Sequence, residues 1–182
     1  MKILCLALLL FPMGMENVRD YGMKVHVVVG EVEGSGSGVL IGDDLVLTAN
    51  HLFIEGAKFY SDDDHSQELV VVKWSEEHDL LLLRSKTKHK GVALGKEPKV
   101  LDEVYAVGHP LGSSKIIVVG RVADQTDSKI LIDATVMEGM SGGGVFDKKR
   151  KLIGIVVASW GKDTKFMVAI HLKAIREFIK TP

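Results

Sequence analysis

Glu68-Leu69-Val70-Val71-Val72-Lys73-Trp74 and Leu80-Leu81-Leu82-Leu83-Arg84 are two short apolar runs, parted by the polar stretch Ser75-Glu76-Glu77-His78-Asp79. Runs of this length, rich in Val and Leu and bounded by turn residues, read as strands, because a helix that buries one face needs a longer amphipathic repeat. Working towards the N-terminus, the same pattern predicts strands at Lys24–Val29, Gly38–Ile41, Leu45–Thr48 and Lys58–Tyr60, punctuated by turn signals such as Gly42-Asp43-Asp44. Beyond the charged connector Ser85–Lys99 come Glu103–Gly108, Lys115–Ala123, Lys129–Asp133, Gly144–Asp147, Lys151–Ala158 and Lys165–Ala169. The chain therefore reads as all-β. Two sets of six strands predict two packed antiparallel β-barrels, an architecture that closes its own edges. Their expected bounds are 22–98 and 99–182, after an N-terminal segment 1–20. Leu172, Ile175, Phe178 and Ile179 fall at helical spacing and predict a short amphipathic C-terminal helix. Gly34-Ser35-Gly36-Ser37-Gly38 lacks a following Lys-Ser/Thr and leads into a strand, so it reads as a flexible turn and not as a phosphate cradle.

Composition narrows the function classes. With 46% hydrophobic residues among 182, the chain can bury a substantial core. The 23 basic and 24 acidic residues leave a net charge of −1, which provides no field for nucleic acid or anionic lipid. Cys5 is the single cysteine and lies in the N-terminal apolar run, so the barrels have no disulfide and no thiol nucleophile. That run, Ile3 to Phe11 behind Lys2, has the order of a secretory signal but is too short to span a bilayer. Two readings stay open for it: a signal peptide, implying a periplasmic or secreted protein, or an apolar arm packed on a cytoplasmic domain.

Three residues carry chemistry. Ser141 sits in Glu138-Gly139-Met140-Ser141-Gly142-Gly143-Gly144, where glycines permit a sharp turn and let the amides of Gly139 and Ser141 converge on one point, as an oxyanion site requires. A hydroxyl needs a base, and His51 follows the strand Leu45–Thr48 directly. Asp79 stands at the entry of the strand Leu80–Leu83, where a partly buried carboxylate could orient the imidazole. Singly, each reads as readily as a loop serine, a surface histidine and a capping aspartate.

Together they match a family. Thr48-Ala49-Asn50-His51, His78-Asp79-Leu80 and Gly139-Met140-Ser141-Gly142-Gly143 resemble the motifs of trypsin-like serine peptidases, in the order His, Asp, Ser and at separations of 28 and 62 residues. Gly36-Ser37-Gly38-Val39-Leu40-Ile41, Gly108-His109-Pro110-Leu111-Gly112 and Ile132-Asp133-Ala134 resemble the HtrA/Deg branch, over about residues 22 to 179. The resemblance implies a chymotrypsin-type fold without a PDZ domain. It also implies a serine endopeptidase acting on polypeptides through a triad of His51, Asp79 and Ser141 and an acyl-enzyme. By the same resemblance, Val136 and Phe166, with Ser159, line the pocket for the side chain before the cleaved bond, and Ser159-Trp160-Gly161 pairs with substrate backbone. With no acidic residue placed there, small or medium aliphatic side chains are expected. Met140 stands where the family has Asp or Asn, Gly144 where Pro or Ala is usual, and His109 where Asn is usual, so control of activity is expected to differ.

No cofactor and no metal are expected. Asp62-Asp63-Asp64 fits no calcium cage, and His65, His78, His89 and His109 lack zinc spacing. Other expectations are no stable membrane span, no nucleic-acid partner and room for oligomer formation. An α/β-hydrolase esterase is excluded, since that architecture alternates strands with helices and places Ser before His. The remaining alternative is a catalytically silent protease fold that binds peptides.

Overall fold

The computed structural model describes residues 17–61, 65–161 and 166–181. The first barrel comprises β1 (Gly22–Val29), β2 (Val32–Leu40), β3 (Leu45–Ala49), β4 (Lys58–Tyr60), β5 (Glu68–Ser75) and β6 (Leu80–Ser85). The second comprises β7 (Glu103–Gly108), β8 (Ile116–Gln125), β9 (Lys129–Asp133), β10 (Gly144–Phe146), β11 (Leu152–Trp160) and β12 (Phe166–His171), followed by helix α1 (Leu172–Lys180). Both sheets close, in the orders β1-β2-β3-β6-β5-β4 and β7-β8-β9-β12-β11-β10. The two barrels thus share one topology, and every strand pair is antiparallel.

The uninterrupted leucine run of β6 follows from its position. Leu81 and Leu83 point into the core of the first barrel with Val25, Val46 and Phe59. Leu80 and Leu82 point the other way, into a cluster shared between the barrels with Val39, Leu47, Val107, Phe146, Leu152 and Ile155. A strand buried on both faces has no polar face, so alternation disappears. A third cluster, including Val104, Val122, Ile130, Met140, Val156 and Met167, fills the second barrel. Helix α1 buries Leu172, Ala174, Ile175 and Phe178, and His171 caps it by accepting from Lys173 N at 3.1 Å.

One segment differs from the sequence expectation. The Gly34–Gly38 stretch is not a flexible turn: it lies inside β2 and is paired residue by residue with β1, from Gly22↔Val39 to Val29↔Val32. Glycine disfavours strands, but here the ladder needs small residues, since a Cβ on Gly38 would lie 2.7 Å from Val46 Cγ1. The hairpin turn falls instead at Gly30-Glu31, with Gly30 at φ 60°. The connector between the barrels is fixed to both. Val92 N–H donates to Leu40 O at 2.9 Å, and Leu152 N–H donates to Ala93 O at 3.0 Å.

The N-terminal run Ile3–Phe11 and the triplet Asp62–Asp64 lie outside the described residues. Val18 and Tyr21, which are described, are buried in the cluster between the barrels, and Tyr21 stacks on Phe146 at 6.2 Å. No helix among the described residues is long and apolar enough to cross a membrane.

Candidate active site

The register of β3 against β6 brings two of the three candidate residues together. Their ladder runs from Leu45↔Arg84 to Ala49↔Leu80, so the next pair sets Asn50 opposite Asp79. Asn50 N–H indeed donates to Asp79 O at 3.1 Å. The chain then leaves β3 in a single 3₁₀ turn, Asn50–Leu52, which carries the His51 ring towards the carboxylate. Asp79 adopts φ 53°, a left-handed conformation that Asp tolerates better than most residues, and this turns its side chain back over the strand end. The His51 amide donates to Asp79 Oδ1 at 2.8 Å, and His51 Nδ1 lies 3.0 Å from Oδ2 and 3.2 Å from Oδ1. The Asp79 side chain is 24% exposed and that of His51 42%. Burial alone would raise the Asp79 carboxyl. The hydrogen bonds from the His51 ring and amide, with the attraction of Lys129, outweigh it and hold the group below its ordinary 3.8. An ionised carboxylate on Nδ1 fixes the tautomer with hydrogen on Nδ1 and leaves Nε2 as the free base.

Ser141 reaches this region from the second barrel, over a bridge made by β2. Ser37 N–H donates to Ser141 O at 2.7 Å, and Thr48 Oγ1, three residues before His51, donates to Ser37 O at 2.6 Å. Gly36 is enclosed by the loops of both candidates: a Cβ there would lie 2.5 Å from Leu52 Cδ1 and 3.1 Å from Ser141 O. Gly142, at φ 85°, leaves no room for a side chain either, since a Cβ would fall 2.0 Å from Thr48 Oγ1. Among the described residues, no hydrogen bond joins Ser141 Oγ to the His51 ring. In unliganded sites of this kind such bonds are often long and tighten with substrate.

The peptide planes around Ser141 are each held. Glu138 O accepts from Leu111 N at 2.8 Å and Met140 O accepts from Gly143 N at 2.9 Å. Gly142 N–H donates to Val156 O at 2.7 Å. The amides of Gly139 and Ser141 donate to no protein acceptor among the described residues. Met140 itself is wholly buried in the core of the second barrel.

Both motifs and their placement in twin barrels have counterparts in known proteins. The model of the trypsin-like peptidase domain matches residues 36–155. The chain belongs to the trypsin-like peptidase family. Its sequence is 34% identical over 139 residues to the probable periplasmic serine endoprotease DegP-like of Brucella suis, covering 68% of this chain and 27% of that protein. The chain thus matches about a quarter of the length of that relative. Among solved structures, the serine endoprotease from Yersinia pestis superposes with a TM-score of 0.79 at 19% identity, covering 89% of this chain and 62% of the other. The HtrA-type protease AlgW with tripeptide superposes with a TM-score of 0.78 at 24% identity, covering 89% and 60%. These superpositions establish the fold of this trypsin-like core.

The segments expected to contact substrate fall on two elements of the second barrel. Val136 is half-buried against that barrel's core. Ser159 and Trp160 end β11 and pair with Met167 and Phe166 of β12; Trp160 is 62% exposed, and its ring lies 6.1 Å from that of Phe166. A register shift between Val156 and Ala158 turns the strand end outwards, so that Ala158 to Gly161 are exposed where Leu152 to Val157 are buried. On its other side β11 pairs with β10 only from Leu152 to Ile155, which leaves the edge of Ala158–Trp160 without a strand partner among the described residues. Ser37, Thr48 and the Leu111 amide were not singled out as site residues by sequence. The signal available was motif membership: Ser37 lies within Gly36-Ser37-Gly38, Thr48 within Thr48-Ala49-Asn50-His51 and Leu111 within Gly108-His109-Pro110-Leu111-Gly112.

Proposed function

We propose that this chain is a serine endopeptidase in which Ser141 attacks the peptide carbonyl, His51 takes and returns the proton, and Asp79 holds the imidazole. The observation that carries the reading is the His51–Asp79 contact, with Nδ1 3.0 Å from Oδ2 and the His51 amide 2.8 Å from Oδ1. A two-point contact of this kind fixes both ring orientation and tautomer, which an incidental surface pair would not require. The amides of Gly139 and Ser141 would receive the oxyanion, worth about 3–4 kcal/mol for each donor. Water then hydrolyses the acyl-enzyme.

The substrate is polypeptide, laid as an added strand along the free edge at Ser159, Trp160 and Gly161. Small or medium aliphatic side chains fit a pocket lined by Val136, Ser159 and Phe166, where a basic side chain would find no countercharge. Digestion of an unfolded protein, with cleavage sites mapped, is expected to give cuts after such residues, and Ser141→Ala is expected to abolish them. Cleavage confined to Arg and Lys sites would overturn the specificity, and comparable hydrolysis by Ser141→Ala would overturn the mechanism. Likeness to a protein named as periplasmic supports export. Because Val18 and Tyr21 belong to the core, a leader peptidase would have to cut before Asn17, which the mass of the mature N-terminus would show.

A further inference from the structure

We infer that the hydroxyl of Ser37 is a positioning residue that holds the oxyanion-binding loop in its working conformation; this rests on the triad reading above. Ser37 is completely buried on β2, in the first barrel, yet its side chain serves the second. Its Oγ donates to Gly139 O at 2.7 Å and accepts from His109 N–H at 2.8 Å. One hydroxyl thus ties together the loop before Ser141 and the start of the turn Pro110–Gly112. That turn supplies the Leu111 amide, which bonds Glu138 O at 2.8 Å and so orients the peptide that bears the Gly139 N–H. The two loops are in close contact: a Cβ on Gly139 would lie 2.5 Å from His109 O and 2.8 Å from Leu111 N.

The consequence is a chain of dependence. Gly139, at φ 86°, has the freedom to flip the peptide on either side of it, and a flip of the 138–139 peptide would put the Glu138 carbonyl where the Gly139 N–H now stands. The bond from Ser37 Oγ fixes the peptide after Gly139. The bond to His109 N–H fixes the loop whose Leu111 amide fixes the peptide before it. Meanwhile Ser37 N–H holds Ser141 O, and Thr48 Oγ1 holds Ser37 O, so the same residue keeps the serine loop in register with the strand end that carries His51. Removing the hydroxyl deprives Gly139 O and His109 N–H of a shared partner in a buried place, and a flip of the loop becomes a way to satisfy them.

The test uses the full chain as wild type, Ser37→Ala, Ser37→Thr and Ser141→Ala, with a fluorogenic peptide built on a mapped cleavage site. Two ligands of that sequence are added: a peptidyl trifluoromethyl ketone, whose adduct with Ser141 carries the oxyanion, and the matching peptidyl alcohol, which forms none. Ser37→Ala is expected to lower kcat about 10- to 100-fold, short of the roughly 10²–10³ for losing an oxyanion donor outright, with KM within about threefold. Affinity for the ketone should fall in parallel while that for the alcohol is unchanged, and Ser37→Thr should restore kcat to within about threefold of wild type. A merely structural serine would weaken both ligands together. An unchanged kcat in Ser37→Ala, or equal loss of ketone and alcohol binding, overturns the inference while leaving an active wild type and the triad intact. An inactive wild type, or a Ser141→Ala variant as active as wild type, overturns the triad reading and this inference with it.

Discussion

Asp79→Asn is the perturbation that the geometry makes most informative. The substitution is nearly isosteric, so the asparagine side chain can still accept the His51 amide bond at the place of Oδ1, where the distance is now 2.8 Å. What changes is the contact at Nδ1, 3.0 Å from Oδ2: an amide NH₂ in that place donates, forcing the ring proton to Nε2 and removing the base proposed to act on Ser141. In the Ser-His-Asp template the same exchange lowers kcat by about 10⁴. The side chain of Asp79 is 24% exposed, and solvent weakens the electrostatic part. We therefore expect a loss of about 10³- to 10⁴-fold in kcat, or roughly 4–5.5 kcal/mol of barrier, with KM little changed. Steady-state hydrolysis of a peptide substrate measures this. A pH series of unfolding adds an independent reading. The carboxyl is held below 3.8, so its stabilisation is present above that value and is lost as the pH falls through its lower folded value. The Asp79→Asn variant should lack that acid loss. If it retains more than about a tenth of wild-type kcat, the argument that Asp79 sets the tautomer is refuted.

Two further outcomes follow from residues away from the triad. Met140→Ala removes a fully buried side chain from the second-barrel core and should cost about 2–5 kcal/mol in thermal or denaturant unfolding; a change under about 1 kcal/mol would show that the site collapses around the smaller residue. Burial pushes His171 below its ordinary 6.5, and its Nδ1 caps helix α1, so stability is fully present above 6.5 and declines as the pH drops beneath it. His171→Asn keeps a capping acceptor but cannot titrate and should flatten the decline of the unfolding midpoint below pH 6.5; an unaltered pH slope would place that dependence elsewhere.

The barrels were legible because their strands are short, bounded and rich in Val, Ile and Leu; eleven of the twelve segments appear within two residues of the expected bounds, Gly38–Ile41 being the exception. His51 and Asp79 could be placed near each other from motif and order, and the β3–β6 register supplies the physical reason. What remained hidden is non-local. Gly34–Gly38 has the composition of a turn, and only its pairing with β1 makes it a strand. Ser37 reads as part of a glycine-serine stretch because its partners are 102 and 72 residues distant. Met140 reads as a missing polar group at an activation site, whereas in the fold it is an apolar side chain filling the second barrel. The connector reads only as charged, and its composition gives no sign of the backbone bonds by which Val92 and Ala93 tie it to β2 and β11.

Reaction of the purified chain with a fluorophosphonate probe, followed by mapping of the modified peptide, tests the central claim most directly. The account predicts one adduct, on Ser141, formed in the wild type, absent in Ser141→Ala and strongly slowed in Asp79→Asn. An unreactive wild type under conditions where it is folded, or an adduct on another serine that persists in Ser141→Ala, would contradict it.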